Sequence, residues 1–147
     1  MADLEKVARV AAAGGNLAVL STMEPDGAVH ASLVSAGVLP DPIDAAASVA
    51  AVIRGDARKL RLLRASGQAA LTFTHGYEWA SVSGLVRLIG PDDGFDFGLD
   101  VPALLRAVFQ AAGGGHDDWD EYDRVMARER RCAVFVQANR VTGVAQG

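Results

Sequence analysis

Apolar, β-rich runs bounded by turn residues make up much of the chain, and the apolar spacing becomes helical only in short segments. Leu4, Val7, Ala8 and Ala11 share one face of a helix predicted over 3–12, and Gly14-Gly15 ends that pattern. NLAVLSTM (16–23) and AVHASLVSAGVL (28–39) read as strands joined by the turn EPDG, so together they predict a hairpin. PDPID breaks the chain before ASVAAVI (47–53), a strand that ends directly at Arg54-Gly55-Asp56.

Asp56 is a suitable N-cap for a helix whose first positions are Ala57, Arg58 and Lys59 and which runs to about Ser66-Gly67. QAALTFTH and WASVSGLVRLIG follow as a second hairpin around GYE, with Ala80, Val82 and Gly84 alternating against Ser81 and Ser83. After the loop PDDGFDFGLD, VPALLRAVFQAA is helical by the spacing of Leu104, Leu105 and Val108. GGGHDD interrupts, WDEYDRVMARE predicts another short helix, and RCAVFV predicts the last strand. About six strands and four short helices, without βαβ alternation, predict a mainly β, α+β fold: an antiparallel barrel with helices packed outside.

At 147 residues the chain suits a single domain, 1–147, with room for a real core. Acidic residues outnumber basic ones, 18 to 14, and the net charge of −4 argues against a general nucleic-acid binder, which needs a broad basic surface. No apolar run reaches the ~20 residues of a membrane span. The start MADLEKVARVAAAGG lacks a signal peptide's basic and apolar regions, so the expected address is the cytoplasm. Cys132 is alone, and His30, His75 and His116 are far apart in sequence, which offers neither a disulfide framework nor a metal-ligand pattern.

Against that acidic background, RGDARKLRLLR (54–64) holds five of the 14 basic residues. With ~100° per residue, Leu60 and Leu63 share a face, Arg58 lies roughly opposite, Lys59 is on the flank and Leu62 points away from the other leucines. Leu60 and Leu63 are expected to pack on the barrel, leaving Leu62 for a second contact such as a subunit interface. Lys59 stays beside the free N–H groups of the first turn, where dipole and side chain both favour a phosphate or carboxylate. Arg58 or Arg54 adds a fork-shaped grip. The charges alone are equally compatible with a solvated helix face. Elsewhere, no G-x-S-x-G elbow connects Ser21, Thr22, Ser32 or Ser35 to a base, and GGGHDDWDEYD lacks the order of a calcium loop. Trp79 beside a hairpin turn suits core filling or the cover of a flat ligand.

The turn PDG, the helix start ARKLRLLR and the late segment DWDEYDRVMARERR together resemble the pyridoxamine 5′-phosphate oxidase-like split β-barrels, specifically their actinobacterial branch dependent on coenzyme F420. The similarity spans nearly the whole chain. It implies an antiparallel split β-barrel that forms a homodimer, with a deazaflavin in a groove between subunits. Lys59 matches the family's phosphate-binding lysine, with Arg58 and Arg54 as helpers. Ser32, Val34, Val52, Ile53 and Gly55 would line the ring and ribityl path. Trp79 matches an aromatic position near the ring, and Arg130 or Arg131 would reach across from the partner chain.

Two positions depart from the family: Ala57 stands where some relatives have a second basic residue, and Thr142 where they often carry an aromatic. The implied activity is hydride transfer from reduced F420 to an electron-poor acceptor such as a conjugated carbonyl, quinone or tetrapyrrole, the cofactor carrying the chemistry. FMN in place of F420, a carrier without turnover, and a structural dimer whose basic helix binds no ligand are the alternatives.

Overall fold

The structure, a computed structural model, describes residues 4–93 and 98–144. Among these residues the elements run α1 (Leu4–Ala13), β1 (Leu17–Met23), β2 (Val29–Val38), β3 (Ser48–Ile53), α2 (Arg58–Ser66), β4 (Gln68–His75), β5 (Glu78–Ile89), α3 (Val101–Ala111), α4 (Trp119–Arg128), β6 (Cys132–Gln137) and β7 (Arg140–Val144). Asp3 of the predicted first helix and part of the PDDGFDFGLD loop lie outside the described residues. No described helix is long and apolar enough to cross a membrane.

Two long strands organise the sheet by changing partners along their length. β2 pairs with β1 through residues 29–35 and with β3 through 36–38. β5 pairs with β4 through 78–85 and with β6 through 86–89. With β1–β4 and β3–β6 also antiparallel, six strands close into a split barrel, and β7 adds to the other edge of β5. The expected antiparallel split β-barrel with peripheral helices is the fold observed.

The alternation of apolar residues determines two cores. Ala18 and Leu20 of β1, Leu71 and Phe73 of β4 and Val82 of β5 point into the barrel, where Leu60 and Leu63 of α2 and Val7, Val10 and Ala11 of α1 close it. β3 and β6 are buried on both faces because α3 and α4 cover their outside: Ala50, Ala133 and Phe135 pack there with Leu105, Val108 and Tyr122. A side chain at Gly37 of β2 would come 1.9 Å from the carbonyl oxygen of Ala111, so glycine lets the end of α3 lie directly on the strand.

Four sequence expectations are corrected. Ala57, not Asp56, is the N-cap of α2; no side chain caps it, and the Asp56 carboxylate instead accepts from Arg54 Nε at 3.2 Å. On α1 it is Val10 rather than Ala8 that joins the buried face. RCAVFV is not the last strand, because RVTGV forms β7 on β5; this short edge strand is exposed along most of its length and so carries no apolar alternation to read. Leu62 is buried within its own chain at 5% exposure, so it is not available to a partner subunit. Replacing it by aspartate removes buried apolar surface and strands a carboxylate. Leu62→Asp is therefore expected to destabilise the fold by at least ~3 kcal/mol, read in a thermal melt, and a variant that melts like the wild type would contradict this placement.

Candidate functional site at the junction of barrel and helices

Where β3 runs out into α2, the chain passes close to the corner between α4 and β6. Gly55 N–H donates to the Glu129 carbonyl at 3.1 Å, and a Cβ at Gly55 would meet the Arg130 carbonyl oxygen at 2.5 Å. Glycine is needed for that approach. Arg130 turns the corner in the left-handed region, with φ 51°. The approach places Arg54 and Arg131 on one carboxylate: Arg131 Nε donates to Glu129 Oε1 at 2.9 Å, and Arg54 Nη1 to Glu129 Oε2 at 3.5 Å. The hydrogen bond from Arg131 holds the Glu129 carboxyl below the usual range.

Beside this knot lies a cavity of ≈ 410 Å³. Its cations are Arg54, Lys59 and Arg131. Leu33, Val34 and Ser35 of β2 and Val52 and Ile53 of β3 form the sheet side, with Ala57 at the helix start. Val108, Phe109 and Ala112 at α3, with Tyr122 and Met126 of α4, form the opposite wall. Tyr122 donates its hydroxyl to the Leu105 carbonyl at 3.0 Å, and burial pushes its pKa up to about 12, so it contributes a neutral ring. Phe109 packs on it with ring centroids 5.0 Å apart. Among the described residues the lining offers positive charge and apolar surface, and no carboxylate, imidazole or thiol for acid–base or nucleophilic work.

Of the nine residues singled out from sequence, the structure gathers five on this cavity: Lys59, Arg54, Ile53, Val52 and Val34. Lys59 forms no ion pair or hydrogen bond among the described residues, unlike the two arginines beside it. Gly55 sits just behind the lining as the close contact described above. Arg58 turns away and pairs with Glu24, tying α2 to the β1–β2 turn. Ser32 lies two residues before Val34 on the inward row of β2, and its buried Oγ has no hydrogen-bond partner among the described residues. Trp79 is on the outer face of β5, opposite Thr74 and Val144, away from the cavity. Arg130 pairs with Asp92, whereas Arg131 lines the cavity of its own chain. Arg61 and Arg64 are also engaged, with the Asp56 carbonyl and with Asp93.

The α3–α4 wall escaped sequence reasoning, although Val108 and Ala112, and Tyr122 and Met126, stand four apart on their helices and so share a face. Glu129 was legible only as one charge among several in RERR.

Outside the barrel, β2, β1, β4, β5 and β7 present a continuous face. Val29, Leu33, Leu17, Val19, Met23, Trp79, Leu85 and Val144 are exposed on it, Val29 at 74% and Leu33 at 61%. Register aligns Leu33, Val19, Thr72, Ser81 and Thr142 across all five strands. Leu33 belongs both to this face and to the cavity lining.

No family model matches the chain. Among solved structures it is similar to a conserved hypothetical protein of Mycobacterium tuberculosis, at 16% identity and TM-score 0.69 over 97% of this chain and 84% of that one. A pyridoxamine 5′-phosphate oxidase-related, FMN-binding protein of Nostoc punctiforme aligns at 13% identity and TM-score 0.65, again over 97% and 84%. A heme-binding protein of Mycobacterium smegmatis aligns at 18% identity and TM-score 0.65, over 98% of this chain and 55% of that one. These likenesses establish the fold as that of the FMN-binding split barrels.

The close contact at Gly55 generates a test. Gly55→Ala is expected to cost roughly 1–3 kcal/mol by overpacking, read as a lowered melting temperature. Unchanged stability would mean that the corner is not closed in this way.

Proposed function

We propose that the chain binds a flavin-type cofactor in the ≈ 410 Å³ cavity and that this cofactor is the deazaflavin F420, with FMN as the alternative. The observation that carries the reading is Lys59: a half-buried cation whose side chain has no partner among the described residues, on a cavity it shares with two arginines and an apolar wall. The residues fit such a group. Lys59, with the uncapped first turn of α2, would hold its phosphate. Val34, Val52 and Ile53 would take its apolar ring on one side, and Phe109 and Tyr122 on the other. The orphan hydroxyl of Ser32 is a candidate polar contact near the ring path.

When bound, F420 supplies hydride transfer to an electron-poor acceptor of the conjugated carbonyl, quinone or tetrapyrrole type. The chain's part is to orient and to exclude water. A lining that shows no carboxylate, imidazole or thiol among the described residues agrees with that division. The likeness to an FMN-binding protein supports a flavin-type ligand and is the reason FMN stays the alternative.

The second element of the proposal is a homodimer through the outer sheet face. Its exposed apolar residues give a second copy a surface to cover, and Leu33 places that surface at the mouth of the cavity, so a partner would complete the site. Val19→Asp, at an exposed position of the aligned row, is expected to leave the fold intact and turn a dimer into a monomer in sedimentation. A folded variant that stays dimeric would remove this face as the interface.

Lys59→Ala is expected to weaken cofactor binding on the order of ten- to hundredfold, the loss of one charge-assisted contact, with an unchanged melting temperature. Titrating wild type and variant with F420 and with FMN reads this. Equal affinity in the two proteins would contradict the phosphate role of Lys59. Saturable binding with no turnover of any acceptor would make the protein a carrier.

A further inference from the structure

The cavity's basic edge is partly neutralised from within. Glu129 bridges Arg54 and Arg131, and so cancels one of the three positive charges that a ligand's phosphate would meet. Its position is not explained by the helix. Glu129 is the C-cap of α4, where a carboxylate faces the negative end of the helix dipole and is locally unfavourable. The arginines compensate for that placement, and in doing so they are held together as a pre-formed, half-neutralised pair. Asp56 draws on Arg54 as well, at 3.2 Å from its Nε. Of the three cations, only Lys59 has no carboxylate partner among the described residues.

We propose that Glu129 tunes which phosphate charge the cavity accepts, lowering the advantage that a doubly charged phosphomonoester would otherwise have over a singly charged phosphodiester. The inference rests on the cofactor reading above and adds a discrimination to it. F420 carries its phosphate as a diester and FMN as a monoester that is a dianion above about pH 7. A fixed carboxylate repels a dianion about twice as strongly as a monoanion at the same distance, just as the cations attract it about twice as strongly, so cancelling one of the three positive charges narrows the advantage of the dianion. Glu129 is thus a specificity-determining residue that touches the arginines rather than the reacting atoms.

The test compares dissociation constants of F420, FMN and uncharged riboflavin for wild type and Glu129→Gln at pH 8, by fluorescence titration. Neutralising the carboxylate is expected to raise the ratio of FMN to F420 affinity roughly tenfold, from one charge acting behind the arginines in a partly solvated site, and to leave riboflavin unmoved. Glu129→Ala carries the same expectation if the amide variant does not fold, and Glu129→Asp, which keeps the charge, is expected to keep the wild-type ratio. A ratio unmoved in Glu129→Gln, or a change shared by riboflavin, would overturn the role of Glu129 while leaving the cofactor reading intact. Failure of all three compounds to bind the wild type would overturn the cofactor reading, and this inference with it.

Discussion

With only hydrogen at the Gly55 α-carbon, the turn after β3 comes within a hydrogen bond of the backbone at Glu129, and much of the site follows from that approach. It sets two arginines from distant parts of the sequence on one carboxylate. It also fixes the start of α2, and hence Lys59, relative to α4. In this protein the cationic edge is produced by backbone packing, with the side chains of Arg54 and Arg131 arriving as a consequence.

The rest of the cavity depends on the barrel being split. Strands β2 and β5 each leave one half of the sheet for the other, and α3 and α4 cover the half in which β3 and β6 are buried on both faces. The seam between uncovered and covered halves is where the cavity forms. One wall is therefore sheet and the other helix, and the outer face of β2 runs past the opening toward the surface proposed for a second copy. A chain of net charge −4 still presents a local positive site at Arg54, Lys59 and Arg131, although other basic side chains of the 54–64 stretch are spent on internal partners: Arg58 on Glu24, Arg64 on Asp93.

Much of this was legible in the sequence, for physical reasons. β-rich apolar runs bounded by turn residues marked six strands, with clear alternation in β5, and the spacing of Leu60 and Leu63 marked the buried face of α2. Lys59 stood out because a cation beside the free N–H groups of a helix's first turn joins the dipole in favouring an anion. What was not legible depends on contacts between remote segments. Leu62 looked surplus on a helical wheel because a wheel has one packing surface, whereas α2 is enclosed on more than one side. Arg58 and Lys59 are neighbours with the same charge, and only the fold reveals that Glu24 takes the first. Ring contacts between Phe109 and Tyr122 likewise arise from a helix pair whose mutual placement no local pattern encodes.

The most direct measurement is a crystal structure of the protein with F420 bound. The account predicts the phosphate within hydrogen-bonding distance of Lys59 Nζ, the ring between β2–β3 and the α3–α4 wall, and a second copy seated on the outer sheet beside Leu33. A cofactor bound elsewhere, or a phosphate held without Lys59, would contradict it.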